Sequence, residues 1–145
     1  MLSKRTRYAM VALTRLAREY GKGPILISDI AKSEMIPQRF LENILLELKN
    51  HGVLGSKLGK TGGYYLIKKP EEVNLSDIIR FFEGAIALMP CVSERSYQPC
   101  EFCKDEKNCN IRKVFKDIRD TTYEKLRNTT LQDLAVGKKV RKKKQ

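Results

Sequence analysis

Four cysteines in the second half of the chain are the side chains best suited to chemistry. Cys91, Cys100, Cys103 and Cys109 fall within nineteen residues, and no cysteine stands elsewhere in the 145-residue sequence. Thiolates at short, unequal spacings in one loop can converge on a single centre, and both iron–sulfur clusters and zinc accept four of them. The spacing matches neither a standard zinc finger nor a ferredoxin. The sequence therefore predicts a cysteine-ligated site that holds either an iron–sulfur cluster or zinc.

The same loop is also compatible with thiol chemistry that needs no metal. Cys100 and Cys103 have the spacing of a CxxC pair. Cationic residues near them would favour the reactive thiolate, namely Arg95, Lys104 and Lys107. The pair lacks the strand–helix surroundings of a thiol oxidoreductase, so an enzyme of that class is disfavoured. A redox switch, and four thiols without any sensing role, stand as the alternatives to a metal site.

Other catalytic arrangements are missing from the sequence. It contains no recognisable nucleophile–base pair, phosphate-binding loop or paired carboxylates. His51, the one histidine, is placed in the last turn of a predicted helix, where an imidazole suits the helix dipole. We interpret it as structural, and the sequence predicts a protein that is not an enzyme.

A second group of polar residues suits the recognition of base edges in nucleic acid. Gln38, Arg39 and Glu42 lie at the start of a predicted helix, with Asn43 on the adjoining face. Glutamine can pair with adenine, arginine can pair with guanine, and glutamate can accept a hydrogen bond from cytosine. The alternative is that these residues form only the solvated face of an amphipathic helix.

The charge of the chain favours a polyanionic partner. There are 29 Lys and Arg against 17 Asp and Glu, which gives a net charge of +12, and half of this excess lies in the tail 138–144. Such a surface attracts polyanions and releases counterions when it binds them. Charge alone does not distinguish DNA from RNA or from an acidic membrane, so the elements that carry the polar residues must decide.

Two short helices joined by a tight turn are predicted to position the base-reading residues. A supporting helix precedes them in the chain, and its apolar residues recur with helical spacing from Tyr8 to Tyr20. Ser28 is predicted to cap the first short helix, Asp29–Ser33. The next helix, Pro37–His51, is predicted to bury one apolar face made of Phe40, Leu41, Ile44, Leu45 and Leu48. This arrangement is the helix-turn-helix pattern.

A hairpin with a glycine-rich tip follows directly. The predicted strands are Val53–Leu58 and Tyr64–Ile67. A hairpin after a helix-turn-helix is a wing, and we expect it to contact phosphates or the minor groove through Lys57, Lys60 and Thr61. The predicted DNA-binding set is completed by Ser28 and by residues placed before the first helix, Ser3, Lys4, Arg5 and Arg7.

The rest of the chain is predicted to be helical on either side of the cysteine loop. Asn74 caps a connecting helix that ends near Gly84, and a long helix from about Ile111 to Leu126 carries an apolar stripe. Thr130 and Asp133 resemble a capping box for a last short helix. The predicted fold is therefore mainly α with a small β wing. Its divisions are a winged helix-turn-helix (1–70), a connecting helix (71–88), a cysteine-rich sensor loop (89–109), a long helix with a C-terminal cap (110–136) and a disordered basic tail (137–145).

The hydropathy pattern argues against a membrane protein. No apolar run approaches the roughly 20 residues needed to span a bilayer, and the N-terminus lacks the apolar stretch of a signal peptide. We therefore expect a cytoplasmic protein without a membrane partner. In that reducing compartment the cysteines favour metal ligation or redox sensing over structural disulfides.

Several segments spread over the chain carry a resemblance to a known family. They are SKRTRYA (3–9), IA (30–31), IPQRFLE (36–42), GGY (62–64) and NTTLQDL (128–134). Together they resemble the Rrf-type family of bacterial winged helix-turn-helix regulators. That family includes the iron–sulfur cluster regulator, the nitric-oxide-sensitive repressor and the cysteine-metabolism repressor. The similarity also runs through the cysteine loop and the long helix, and it covers the chain except for the lysine-rich tail.

The resemblance has implications for assembly and for DNA reading. It implies a homodimer in which the long helix, about Ile111 to Leu126, crosses its partner and makes 110–136 the dimerisation segment, and it implies base reading by Glu42. The family's wing often has an arginine where this chain has Leu58. Lys57 or Lys60 would then take over the minor-groove contact.

The resemblance also assigns roles in the loop. It implies that three cysteines hold an iron–sulfur cluster, and Cys91, Cys103 and Cys109 match them. Arg112 stands where the cluster regulator has a histidine ligand, and Arg7 stands near the place of a carboxylate ligand in the nitric-oxide sensor. Neither of those fourth ligands exists in this chain. Cys100 is therefore the candidate fourth ligand, which makes an all-cysteine cluster the prediction.

These observations together predict a dimeric transcription repressor that binds double-stranded operator DNA, with RNA polymerase as a further candidate partner. Assembly, loss or oxidation of a cluster in the loop would reposition the long helix and change operator affinity. The alternative is an RNA-binding or protein-interaction module, with structural zinc in the loop or with free thiols and no cofactor.

Overall fold

The helices and strands of the computed structural model follow the order predicted above. Residues 1–137 are described, and the predicted basic tail lies beyond Gly137 outside them. The helices are α1 (Lys4–Arg18), α2 (Ile27–Ser33), α3 (Gln38–Asn50), α4 (Leu75–Glu83), α5 (Asn110–Arg127) and α6 (Leu131–Ala135), and the strands are β1 (Leu54–Lys57) and β2 (Gly63–Leu66). Short 3₁₀ helices span Pro70–Glu72 and Pro90–Val92. The predicted fold class, mainly α with a small β wing, is confirmed.

One apolar core joins the first three helices, the hairpin and the last helix. α1 turns one helical face inward, and its buried apolar residues are Ala9, Ala12, Leu13, Leu16 and Ala17. α3 packs against it through Leu41, Ile44, Leu45 and Leu48. α6 returns from the far end of the chain and places the fully buried Leu131 in the same core. Burying each large aliphatic side chain contributes roughly 1.5–3 kcal/mol, so apolar packing determines how α3 is presented.

Main-chain hydrogen bonds tie the start of α6 to the start of α4. The Leu131 N–H donates to the Val73 carbonyl at 2.9 Å, and the Leu75 N–H donates to the Thr129 carbonyl at 3.0 Å. The chain between these points, which includes the cysteine loop and α5, therefore leaves the core and returns to it at a fixed place.

Two predicted helix caps are confirmed. The Asn74 side chain accepts a hydrogen bond from the Asp77 N–H at 3.0 Å and starts α4. At α6, the Thr130 hydroxyl accepts from the Asp133 N–H at 3.2 Å, and the Asp133 carboxylate accepts from the Thr130 N–H at 3.0 Å. Each cap satisfies N–H groups that have no partner within the helix.

The hairpin is held against the helices by a short third segment. The Ile25 N–H donates to the Tyr64 carbonyl at 2.9 Å, and the Tyr64 N–H donates to the Ile25 carbonyl at 2.8 Å. Gly63 has a φ of 132°, and a Cβ at this residue would lie 2.0 Å from the Ile25 carbonyl oxygen. Only glycine tolerates both the dihedral angle and the close contact, so this residue sets the position of the wing.

The structure corrects the predicted burial of Phe40. Its side chain is 59% exposed, and its ring lies beside Tyr8 of α1, with the ring centroids 6.4 Å apart. Its position on α3 turns it toward the flank of α1, while Leu41 takes the inward direction. A phenylalanine next to an inward leucine therefore lies at the edge of the core rather than inside it.

Two predicted helix starts were also wrong. α2 begins at Ile27 with Leu26 as its cap residue, so Ser28 is the second residue of the helix and not its cap. α1 begins at Lys4 with Ser3 as its cap residue, so Lys4, Arg5 and Arg7 lie inside the first helix rather than before it. Both helices extend further toward the N-terminus than their apolar periodicity indicates.

α5 differs from the other long helices because none of its residues is buried. Part of its predicted apolar stripe is open to solvent, with exposures of 62% at Ile111, 58% at Val114 and 40% at Ile118. Within residues 1–137, no helix is long and apolar enough to cross a bilayer.

Candidate nucleic-acid interface and cysteine site

The outward face of α3 carries all four base-reading candidates. Gln38, Arg39, Glu42 and Asn43 are exposed, and the opposite face of the helix is buried in the core. The Gln38 amide Nε2 donates to the Glu42 carboxylate Oε1 at 3.2 Å, one helical turn away. This contact holds the two side chains next to each other and leaves the second oxygen of Glu42 available as an acceptor. The helix thus presents a donor, an acceptor and a cation from a rigid backbone.

The turn before α3 contains a residue that the sequence did not single out. Met35 has a φ of 53° and is 88% exposed. The left-handed conformation is uncommon for residues other than glycine, asparagine and aspartate. Here it lets the chain reverse between α2 and α3, and the Ile36 N–H then bonds to the Ala31 carbonyl at 2.9 Å.

The wing tip presents two cations and an apolar side chain. Lys57, Lys60 and Thr61 are exposed, and Leu58 is 96% exposed. Gly62 is buried at the base of the tip, where a Cβ would lie 2.1 Å from the Lys57 carbonyl oxygen. The tip is therefore a tight turn that projects these side chains in fixed directions.

The N-terminus of α1 is occupied from within the protein. Ser3 donates to the Glu83 carboxylate of α4 through its N–H at 2.8 Å and through its hydroxyl at 2.6 Å. The Thr6 hydroxyl, which is fully buried, donates to the same oxygen. These donors, the Ser3 hydroxyl first, hold the pKa of Glu83 below its ordinary value.

The other residues of the predicted DNA-binding set in α1 and α2 divide into two groups. Arg5 forms an ion pair with Glu47 of α3, and its guanidinium lies 5.3 Å from the ring centroid of Phe82 in α4. Lys4, Arg7 and Ser28 are exposed at the ends of α1 and α2. A DNA contact by any of these residues, as by Ser3, stays a prediction.

The cysteine loop brings together two of its four thiols. Cys109 caps α5, and its sulfur accepts a hydrogen bond from the Arg112 N–H at 3.4 Å. That N–H, followed by a hydrogen bond from the Cys103 thiol, lowers the pKa of Cys109. The pKa of Cys103 is raised, because the thiol is desolvated and because it donates to Cys109. The pair therefore consists of an acceptor sulfur whose pKa is lowered and a donor thiol whose pKa is raised.

The other two cysteines have different surroundings. Cys91 is buried in the 3₁₀ helix Pro90–Val92. Cys100 is half-buried and starts a turn in which its carbonyl accepts from the Cys103 N–H at 3.3 Å. All four sulfurs are free thiols in this structure.

The loop has the right kind of donor atoms for a cysteine-ligated centre, but the four sulfurs are not arranged around a common point. Four thiolates suit both iron–sulfur clusters and zinc. In the described part of the chain, however, no three Cys, His, Asp or Glu side chains are gathered closely enough to hold a metal. Cys91 and Cys100 would have to move toward the Cys103–Cys109 pair before a common centre could form.

Arginines of α5 hold the backbone of the loop. Arg112 Nε donates to the Cys91 carbonyl at 3.2 Å and pairs with Glu106 at 2.8 Å. Glu106 also accepts from the Tyr97 hydroxyl at 2.6 Å, which raises the pKa of Tyr97. Two helical turns further along α5, Arg119 Nη1 donates to the Val92 carbonyl at 2.7 Å. The loop and α5 are therefore one polar assembly.

Sequence reasoning noted Arg112 only as the residue that stands in place of a histidine ligand, and it missed Arg119 and the contacts that both arginines make with the loop. An arginine that binds a carbonyl more than twenty residues away leaves no local pattern. The only available signal was their spacing. Arg112 and Arg119 are seven residues apart, which is two helical turns, so they share one face of α5.

The chain matches the profile of the Rrf2 family, described as iron-dependent transcriptional regulators, over residues 2–137. It is 41% identical over 141 residues to an rrf2-like HTH-type transcriptional regulator of Rhodobacter capsulatus, and the match covers 94% of each chain.

Solved structures show the same fold. CymR, the global cysteine regulator of Bacillus subtilis, matches with a TM-score of 0.79 and 31% identity, over 96% of this chain and 98% of that one. An oxidized form of Staphylococcus aureus CymR matches with a TM-score of 0.71 and 29% identity, over 93% of this chain and 95% of that one.

Proposed function

The chain belongs to the Rrf2 family of transcriptional regulators, and on that premise we propose that it is a homodimeric repressor whose operator affinity depends on the state of its cysteine loop. Its relatives are named as transcriptional regulators and not as enzymes. The observation that carries the proposal is the division of α3 into a buried apolar face and an exposed polar face next to a lysine-bearing wing.

In this proposal α3 enters the major groove. Arg39 pairs with guanine, and the Gln38–Glu42 pair reads a neighbouring adenine or cytosine, with Asn43 on the adjoining face of the helix. Gln38 already holds one oxygen of Glu42. The Glu42 side chain therefore loses less conformational entropy when it binds DNA. Lys57, Lys60 and Thr61 hold the phosphates or the minor groove. Ser28, Lys4 and Arg7 add backbone contacts that position the helix.

The exposed stripe of α5 supports the homodimer. Ile111, Val114 and Ile118 form an apolar surface on a helix that is attached to its own subunit by the adjoining face. A second copy would cover this surface. Two reading heads related by a twofold axis bind half-sites about one DNA turn apart, so a modest rotation of α5 changes whether both heads fit.

The loop supplies the control. An iron–sulfur cluster ligated by Cys91, Cys100, Cys103 and Cys109 is the candidate cofactor, and it would make the loop sensitive to iron and to oxidants. The support is the donor set and the family's description as iron-dependent. Because Arg112 and Arg119 bind carbonyls of the loop, a rearrangement of the loop displaces α5.

A thiol switch is the second candidate, and the contact between Cys103 and Cys109 favours it. This pair differs from the CxxC pair that the sequence indicates. Oxidation of the Cys103 and Cys109 thiols to a disulfide, with two electrons and two protons passing to an oxidant such as a peroxide, would weaken the sulfur acceptor that caps α5. The CymR of Staphylococcus aureus has been solved in an oxidized form.

The DNA-binding proposal is tested with a duplex selected from a random-sequence pool by the full chain. Arg39→Ala should weaken binding to that duplex by about 1–3 kcal/mol and relax the choice of one base pair. Lys57→Ala should weaken selected and scrambled duplexes alike, and Lys113→Ala on α5 serves as the control. Equal binding of single-stranded RNA, or no selected sequence, would support the RNA-binding or protein-interaction alternative.

The two candidates for control are separated by the composition of anaerobically purified protein. A cluster predicts visible absorption with matching iron and sulfide, and its loss in Cys100→Ser. Colourless protein that stays free of iron after reconstitution would contradict the cluster. Zinc in place of iron would indicate a structural site.

A further inference from the structure

All four residues in the last turn of α4 contact other elements. Arg80, Phe81, Phe82 and Glu83, which we call the α4 junction, are followed directly by Gly84, where the helix ends with a φ of 84°. Neighbouring positions in a helical turn point in different directions. The junction therefore reaches two parts of the molecule. On one side is the cysteine-loop half, which consists of the loop and α5, and on the other is the DNA-reading head, which consists of α1–α3 and the hairpin.

On the loop side the contact is made by Arg80. Its guanidinium lies 4.1 Å from the ring centroid of Tyr123 in α5, and its Nη1 donates to the Tyr123 hydroxyl at 3.0 Å. Its Nη2 pairs with Glu94 of the loop at 3.4 Å, and the same carboxylate lies 3.7 Å from Arg119. Arg80 and Arg119 are each mostly buried, with 14% and 12% of their side chains exposed. This geometry binds α4 to both parts of the loop assembly.

On the side of the DNA-reading head the contacts are made by Phe81, Phe82 and Glu83. Glu83 accepts three hydrogen bonds from Ser3 and Thr6 at the N-terminus of α1. The Phe81 ring stacks on His51, the cap residue at the end of α3, with centroids 4.3 Å apart.

Phe82 extends the same contact to the recognition helix. It lies against the guanidinium of Arg5, which in turn pairs with Glu47 of α3. The junction thus touches α1 directly, touches the cap residue at the end of α3 through Phe81, and reaches Glu47 of α3 only through Arg5.

The two sides are linked by rigid backbone rather than by a flexible connection. One helical turn separates Arg80 from Glu83, so a shift or rotation of α4 that follows Glu94 and Tyr123 must also move the carboxylate and rings that hold α1 and α3. At its other end α4 is attached to α6 through the Leu75 N–H and the Thr129 carbonyl. That attachment gives the helix a fixed point about which its last turn can move.

We propose that the α4 junction couples the cysteine loop to the DNA-reading head, with Arg80 as the positioning residue on the loop side and Glu83 as the positioning residue on the head side. The inference rests on the proposed function, because it explains how a change at the thiols reaches α3 within one subunit. It adds a route through α4 to the change of spacing that α5 produces between subunits.

The coupling is measured by hydrogen exchange on the full chain without DNA, before and after alkylation of the loop cysteines with N-ethylmaleimide. In the wild type, alkylation should change exchange at residues 3–8 and 47–52 by at least about fivefold, the lower end of typical allosteric couplings. Because no DNA is present, a failure of this test is distinct from a failure of DNA binding.

Three variants interrupt the route at different points. Arg80→Gln and Tyr123→Phe remove contacts on the loop side, and Glu83→Gln keeps the shape of the side chain but removes its charge. In each, alkylation should still change exchange in the loop while the change at residues 3–8 and 47–52 disappears. Glu71→Gln and Lys116→Gln, at exposed positions, should transmit as the wild type does.

This loss of response distinguishes coupling from a structural role. A variant that is only less stable would exchange faster everywhere before alkylation but would keep the same ratio after it. Retention of the wild-type ratio in Glu83→Gln and Tyr123→Phe would overturn the proposal. A wild-type head that does not respond to alkylation would overturn it as well.

Discussion

The DNA-reading head and the cysteine-loop half of this chain, which consists of the loop and α5, are built on different physical principles. In the head, α3 buries Leu41, Ile44, Leu45 and Leu48 in a shared apolar core. In the cysteine-loop half, α5 is the longest of the described helices and buries no residue. It is attached instead by hydrogen bonds and ion pairs from Arg112 and Arg119.

This difference indicates where the molecule can change state. Apolar packing does not itself depend on protonation or oxidation, so the core of the head stays packed under most conditions, and the response proposed above falls on its edge at the α4 junction. Contacts between charged groups, carbonyls and thiols respond to pH, oxidation and ligands. Regions that move in regulation are generally those of lower local stability, and α5 with its loop meets that description.

The largest expected effect is on the core of the head. Leu45→Ala removes a fully buried side chain of α3 and should lower the free energy of unfolding by about 2–5 kcal/mol. Urea unfolding followed by circular dichroism measures the loss. A cost below that of an exposed substitution such as Lys49→Ala would contradict the contrast between a packed head and a loosely held α5.

A smaller effect is expected at the exposed stripe of α5. It should change the dissociation constant of the dimer rather than the free energy of unfolding. Ile118→Gln removes an apolar side chain, 40% exposed in the single chain, from the proposed dimer surface. Full burial is worth roughly 1.5–3 kcal/mol, only the exposed part is gained, and both copies lose it, so self-association should weaken by about tenfold. Sedimentation over a concentration series gives the dissociation constant. Lys113→Gln, on another face of α5, is the matched control, and equal weakening in both would place the dimer contact elsewhere.

The thiols of the cysteine loop should differ in reactivity. The pKa of Cys109 is lowered by the Arg112 N–H, whereas the pKa of Cys103 is raised by desolvation. At neutral pH more of Cys109 is therefore thiolate, and iodoacetamide should label it several-fold faster than Cys103. Peptide mass spectrometry over a pH series measures both rates. Labelling of Cys103 first would show that the helix cap does not control thiol reactivity.

The smallest expected effect is the pH dependence contributed by Glu83. Its pKa is lower in the folded chain than the ordinary glutamate value of 4.5. A lowered carboxyl pKa stabilises the fold above the ordinary value, and this contribution is lost as the pH falls through the lowered folded value. Glu83→Gln should therefore remove part of the acid-dependent loss of stability below about pH 4.5. Urea unfolding at several pH values tests this, with Glu71→Gln as the control, and parallel curves for wild type and Glu83→Gln would contradict it.

Sequence reasoning succeeded where a property is local. The spacing of Ala9, Leu13 and Leu16 predicts the buried face of α1, and the caps at Asn74 and Thr130 predict where α4 and α6 start. These features depend on residues within one or two turns of each other. They can be recognised without knowing what the helix packs against.

It failed where the partner is distant in sequence. Glu83 satisfies Ser3 from eighty residues away, and Arg119 reaches a carbonyl twenty-seven residues before it. Neither pairing follows from periodicity or motif. The burial of Phe40 was mispredicted for a related reason, because the width of the core at the edge of α3 depends on where α1 lies.

The return of α6 to the core has a consequence for synthesis on the ribosome. Leu131 is fully buried among the residues of α1 and α3, so the core of the head is incomplete until this late residue has left the exit tunnel. Domains usually fold as their N-terminal parts emerge, but here the first helices must wait for the last. A chain interrupted before residue 131 therefore lacks a finished head, and truncated products would not compete with the complete regulator for DNA.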